Sequence, residues 1–91
     1  MGYREKNLIM IASIIITNYN YGKYLGTCLR SCINQTLENE KYEIILVDDC
    51  STDSSIQVAQ EYLSVFKNFK IIKNKKNLGV ARSSNIGIKN A

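Results

Sequence analysis

Three short runs of apolar, largely β-branched residues alternate along the chain with stretches whose apolar residues recur at helical spacing. The first run, Ile11-Ala12-Ser13-Ile14-Ile15-Ile16-Thr17, is almost continuously apolar, as a strand covered on both faces is. The second, Tyr42-Glu43-Ile44-Ile45-Leu46-Val47, ends in Asp48-Asp49, and the third, Phe69-Lys70-Ile71-Ile72, is shorter. Between the first two, Asn18-Tyr19-Asn20-Tyr21-Gly22 is turn chemistry, because asparagine and glycine tolerate left-handed backbone. Tyr24, Leu25, Cys28, Leu29, Cys32 and Ile33 then fall in pairs four apart, one stripe of a helix. After the second run, Cys50-Ser51-Thr52-Asp53-Ser54-Ser55 is rich in residues that cap helix N-termini. The helix they open carries Ile56, Ala59, Leu63 and Phe66 on one face, and a last helix is expected from near Gly79 to the end.

This order, βαβαβα with helices long enough to cross over, predicts an α/β fold. The economical solution is a three-layer α/β/α, Rossmann-like arrangement: a parallel sheet with strands ordered 3-2-1, right-handed crossovers and helices on both faces. Ninety-one residues suffice for one core and no second domain. There is no internal repeat, low-complexity segment or linker.

Composition narrows the chemistry. Apolar residues make up 45% and charged residues 22%, which argues against disorder. A net charge of +4 permits a nucleic-acid partner without calling for one, and none is expected. Histidine is absent, which excludes a Ser-His-Asp or Cys-His site and a histidine zinc site within these residues. The apolar stretch at residues 8–16, broken by Ser13, is too short to cross a bilayer, so no transmembrane segment is expected. The charged leader is followed by no small-residue cleavage pattern, so no signal peptide is expected either. Cys28, Cys32 and Cys50 lack metal-type clustering and read as small buried hydrophobes in a reducing compartment, which places the chain in the cytoplasm.

In open α/β sheets, ligands bind at the carboxyl ends of the strands. Two polar clusters fall there: Thr17-Asn18-Tyr19-Asn20 and Asp48-Asp49. An aromatic ring beside a carboxylate suits a nucleobase, the ring stacking on the base and the carboxylate accepting a ring N–H. Uracil carries such an N–H at N3 and cytosine does not. The two carboxylates could equally do no more than cap the loop and the next helix. No G-x-G-x-x-G or Walker sequence follows any strand, which weakens dinucleotide and P-loop readings. A receiver-like signalling domain wants its acidic pair after strand 1, where this chain has Thr-Asn-Tyr-Asn.

These clusters, in this order, resemble the glycosyltransferases of family 2. Residues 13–25, Ser-Ile-Ile-Ile-Thr-Asn-Tyr-Asn-Tyr-Gly-Lys-Tyr-Leu, look like the family's opening motif, and Cys32-Ile33-Asn34-Gln35-Thr36 is similar to its helix ending in Gln-Thr. Residues 43–53 resemble its "EIIVVDDGSTD" strand and loop, and Asn77-Leu78-Gly79 through Asn85-Ile86-Gly87-Ile88 its "N-x-G … RN-x-G-I" stretch. The resemblance spans residues 11–91. It implies an inverting, nucleotide-sugar-dependent enzyme of the GT-A fold, with a UDP-sugar as donor and polysaccharide or glycoconjugate as product.

Carried over by position, the resemblance implies that Thr17 and Tyr19 flank the nucleobase, that Asp49 binds the base edge and that Asp48 supports that loop. Thr17 stands where many members have proline. Cys50 replaces the usual glycine, and Ser84 the arginine before Asn85, which leaves Arg82 as the nearest candidate for a diphosphate contact. Family members bind a divalent cation, magnesium or manganese, through a D-x-D motif on a further strand, and carry the catalytic base beyond it. Neither element lies within residues 1–91. These residues are therefore expected to be the N-terminal, nucleotide-sugar-binding half-domain, cut before the D-x-D motif and inactive alone, in a protein of the bacterial cytoplasm or the inner face of the membrane. An alternative expectation is a non-catalytic remnant that forms a homo-oligomer through an exposed sheet edge. Lysine and arginine crowd residues 67–91, which hold no acid; this suits either a diphosphate or a solvated surface.

Overall fold

A computed structural model describes residues 12–34 and 41–91 of the chain. The order of elements is β1 (Ala12–Asn18), α1 (Gly22–Ile33), β2 (Tyr42–Asp48), α2 (Ser55–Gln60), β3 (Phe69–Lys73) and α3 (Val80–Lys89). The three strands form one parallel sheet ordered β1-β2-β3, the order expected from the crossover lengths. Each strand runs one residue further than its apolar pattern, because Asn18, Asp48 and Lys73 continue the ladder before the chain turns. Ile11, expected to open the first strand, and the Gln35-Thr36 end of the first helix lie outside the described residues.

Strand alternation splits the sheet into two faces. Ile14 and Ile16 of β1, Tyr42, Ile44 and Leu46 of β2, and Phe69 and Ile71 of β3 share one core with Leu25 and Leu29 of α1 and Ala59 of α2. Leu29 is fully buried, and a side chain of that size contributes about 2 kcal/mol by leaving water. The opposite face meets α3. A Cβ placed on Gly87 would collide with Ile15 and stand 3.3 Å from Val47, so α3 approaches the sheet at a point where only glycine fits. β2, covered on both sides, is buried along its whole length. This is the three-layer α/β/α architecture.

Polar side chains tie the helix ends down. The Tyr42 hydroxyl lies 2.8 Å and 2.9 Å from the carbonyl oxygens of Cys32 and Ile33, donating where α1 runs out of backbone partners. On the α3 face, Ser13 donates to Glu43, and Lys70 reaches both Glu43 at 3.7 Å and the Asn90 carbonyl at 3.1 Å. Lys70 thereby places a cation at the negative end of α3.

Three expectations change. The stripe Ile56, Ala59, Leu63, Phe66 does not form one helix face, because α2 stops at Gln60. Beyond it the N–H groups of Glu61, Tyr62 and Leu63 bond three residues back, a tighter winding that advances each residue further around the axis. Tyr62, not Leu63, therefore packs on the core, and Leu63 is exposed while Phe66 stays buried. In α1, Tyr24 stands out in solvent, because the inward stripe is Leu25, Leu29, Cys32 and Ile33. The cysteines are not uniformly buried: Cys28 is exposed, while Cys32 and Cys50 are half-buried. Burial and the neighbouring Cys28 push the Cys32 thiol pKa up.

Candidate functional site

β1 and β2 run in register, Asn18 opposite Asp48, so their carboxyl ends release two loops side by side. Asp48 is buried, and its oxygens face inward to the protein. Oδ1 accepts from Asn18 Nδ2 at 2.8 Å and Ser51 Oγ at 2.7 Å, and Oδ2 accepts from the Ser51 backbone N–H at 2.9 Å. A carboxylate so surrounded fixes the loop after β2 and joins it to the end of β1.

Asp49 turns the other way, toward α3. Its Oδ1 accepts from Asn74 Nδ2 at 3.0 Å and the Leu78 N–H at 2.7 Å, and its Oδ2 accepts from the Gly79 N–H at 2.8 Å. These N–H groups lead into α3, whose N-cap Gly79 sits at φ 90 and has no side chain to cap the helix. An aspartate thus supplies the anion that the positive end of the helix attracts. The Asn74 amide first, and the Leu78 N–H after it, hold the Asp49 carboxyl below the usual carboxylate range. Asp49 is therefore an anion at neutral pH.

A cleft of about 80 Å³ opens between the loop after β1 and the start of α3. Thr17, Asn18, Tyr19, Tyr21, Asp49, Val80 and Ser83 line it. Of the five residues expected at a site, Thr17, Tyr19 and Asp49 meet here. Asp48 lies among its own donors and does not line the cleft. Arg82 is exposed on α3 and is not part of the lining either. The volume is below the roughly 300–1,000 Å³ of a complete small-molecule pocket, and fits a subsite for one flat group.

Sequence reasoning missed Tyr21, Val80, Ser83 and Asn74. Tyr21 belonged to the turn string and could have been picked out as a second aromatic. Val80 and Ser83, three apart at the start of a helix, carried a weaker signal. Asn74 lies behind the cleft, where its amide joins Asp49 to the Ser83 hydroxyl at 3.1 Å.

The divalent cation that the resemblance implies does not fit the described residues. No three Asp, Glu, Cys or His side chains among them converge. The oxygens of Asp48 and Asp49 face N–H and O–H donors, whose positive ends point where a cation would have to sit. Also among the described residues, no helix is long and apolar enough to cross a membrane.

The chain is similar in sequence and fold to known proteins. A "glycosyltransferase" of Haemophilus influenzae, otherwise uncharacterized, is 42% identical over 78 residues, covering 86% of this chain and 24% of that protein. The poly(ribitol-phosphate) beta-glucosyltransferase of Bacillus spizizenii is 43% identical over 70 residues, 77% of this chain and 11% of its own length. Among solved structures, S. aureus TarS in complex with UDP-GlcNAc superposes with a TM-score of 0.85 at 32% identity, over 90% of this chain and 24% of that one. A mannosyltransferase of Pyrobaculum calidifontis, in complex with GDP-Man and Mn2+, has the same fold at a TM-score of 0.83 and 19% identity, over 91% of this chain and 25% of its own. The chain thus spans a quarter or less of the length of these proteins. The model of the family described as Glycosyl transferase family 2 matches residues 13–91, and the chain belongs to that family.

Proposed function

We propose that residues 1–91 form the nucleobase-binding part of a sugar transferase that takes a UDP-sugar as donor and delivers the sugar to an acceptor hydroxyl on a bacterial polysaccharide or glycoconjugate. One observation carries the reading. The half-exposed Tyr19 ring and the Asp49 carboxylate line one cleft, at the carboxyl ends of two adjacent parallel strands. Tyr19 offers a stacking face, and Asp49 Oδ2 accepts the N3–H of uracil. Thr17 closes the same wall, Asp48 holds the loop that presents Asp49, and Arg82 on the first turn of α3, outside the cleft, would be the cation for the diphosphate. The UDP-GlcNAc carried by TarS supports a uridine donor. Three free cysteines suit a reducing cytoplasm, where the protein would work, at the inner face of the membrane if its acceptor is there.

The metal and the base that deprotonates the acceptor would come from segments outside these residues, so the 91-residue chain alone should transfer no sugar. The test is a calorimetric titration of UDP and CDP into the chain. UDP should bind more tightly than CDP, since cytosine offers no N3–H to Asp49. Tyr19→Ala should weaken UDP by about tenfold, the worth of one base–aromatic stack. Asp49→Ala, checked by circular dichroism because it also uncaps α3, should erase the preference for uracil. UDP affinity unchanged in both variants removes the reading.

A second reading, self-association through β1, is favoured by the one-sided pairing of that strand: among the described residues, β1 bonds only to β2.

A further inference from the structure

The loop that carries Tyr19 is fastened to the loop after β2 chiefly through Asn20, with Asn18 and Gly22 bonding to Ser51 and Asp53 on either side of it. The Asn20 backbone is left-handed, φ 56, so the chain reverses between Tyr19 and Tyr21 and both flanking rings line the same cleft. Its side-chain Oδ1 accepts from the Thr52 N–H at 2.8 Å and the Asp53 N–H at 3.2 Å, and its own N–H donates to Ser51 Oγ at 3.0 Å. Ser51 Oγ in turn donates to Asp48, the carboxylate directly before Asp49. The two loops therefore share one hydrogen-bonded frame, and the tyrosines and Asp49 that flank it in sequence line one cleft. The rings themselves have little else to hold them: Tyr19 is 45% and Tyr21 62% exposed.

We propose that Asn20 is a positioning residue: its side-chain oxygen, clamped by the Thr52 and Asp53 amides, holds the Tyr19 and Tyr21 rings as a pair at a fixed setting against Asp49. Asn20 does not itself line the cleft. Its consequence for nucleotide affinity rests on the uridine-binding reading above, whereas the ring geometry does not. A flat base needs its stacking ring and its edge acceptor at one mutual distance, and rings free to swing pay for their ordering at each binding event.

The experiment compares wild type with Asn20→Gly and Asn20→Asp. Glycine keeps the left-handed backbone and deletes the clamp; aspartate keeps an acceptor oxygen for both amides. The first readout needs no nucleotide: NOEs from the Tyr19 and Tyr21 rings to the Val80 methyls, with the β1 and β2 amide shifts as control. These NOEs should fade in Asn20→Gly with the strand shifts unmoved, and return in Asn20→Asp. NOEs that persist in Asn20→Gly, or that vanish in both variants, overturn the proposal. The second readout is UDP titration. Asn20→Gly should bind about tenfold more weakly, and have a smaller effect in a Tyr19→Ala background, as coupled residues do. Absence of UDP binding by wild type would remove the uridine reading and leave the NOE comparison to decide the role of Asn20.

Discussion

Cys50, directly after Asp48 and Asp49, stands in left-handed backbone at φ 65. A Cβ in that conformation crowds the following carbonyl and costs about 1–2 kcal/mol. The thiol gains a long contact there, Sγ donating to the Lys75 carbonyl at 3.6 Å, from a weak donor. Glycine adopts the same backbone without strain, but it frees the unfolded chain at a cost of roughly 0.5–1 kcal/mol. Cys50→Gly should therefore raise stability, by up to about 1 kcal/mol, seen as a higher urea midpoint at unchanged slope. A lower midpoint would show that the thiol contact outweighs the backbone strain. Left-handed positions were legible in the turn chemistry of residues 18–22, and Asn20 is one of them. So were Tyr19 and Asp49, since the carboxyl ends of parallel strands converge. Asn74 was not legible: an asparagine in a lysine-rich loop looks solvent-bound until β3 brings it back against Asp49.

No helix in the described chain caps its N-terminus with its own N-cap side chain. Two aspartates serve all three. Asp53 accepts from the Gly22 N–H at 2.9 Å and the Ser55 N–H at 2.9 Å, the first residues of α1 and α2, while Asp49 accepts at the entrance to α3. The run of cap-type residues at positions 50–55 announced a helix start, but not that one of them would also cap α1. That partner lies 31 residues back, and only the parallel pairing of β1 with β2 brings it near. The Ser55 hydroxyl first, then the Gly22 N–H, hold the Asp53 carboxyl below its ordinary value, as the Asn74 amide does for Asp49. The sign follows from proton counting: just below the ordinary value near 3.8, the unfolded chain binds protons that the folded carboxylates refuse. Stability from these caps is present in full above that range and is lost as pH falls through the lowered folded values. The urea midpoint should thus decline below about pH 4. Asp53→Asn should lower it at pH 7 and flatten the acid decline; an acid decline identical to wild type would remove Asp53 from this account.

At the scale of the molecule, the sheet formed by the described residues has two edges of unlike chemistry. On β3, Lys70 and Lys73 are exposed, and charge at an edge opposes pairing with another strand. β1 reads Ala-Ser-Ile-Ile-Ile-Thr-Asn, with no charge, and its isoleucines remain half-exposed beside β2. Strand order was legible because parallel neighbours need crossovers, and each crossover here is one helix long. What lies against the free edge of β1 was not, since pattern alone shows that a strand is apolar and not what covers it. Among the described residues nothing pairs with the outer side of β1, and an apolar edge with backbone N–H and C=O groups facing out is a template for a second copy. In sedimentation, the weight-average mass of the 91-residue chain should therefore rise with concentration. Ser13→Lys should return it toward the monomer, because this exposed β1 position would carry the charge that β3 already has, and the lysine would lie next to Glu43. A wild-type chain that stays monomeric across the whole concentration range, or a Ser13→Lys chain that associates just as strongly, would mean that β1 is not the associating edge.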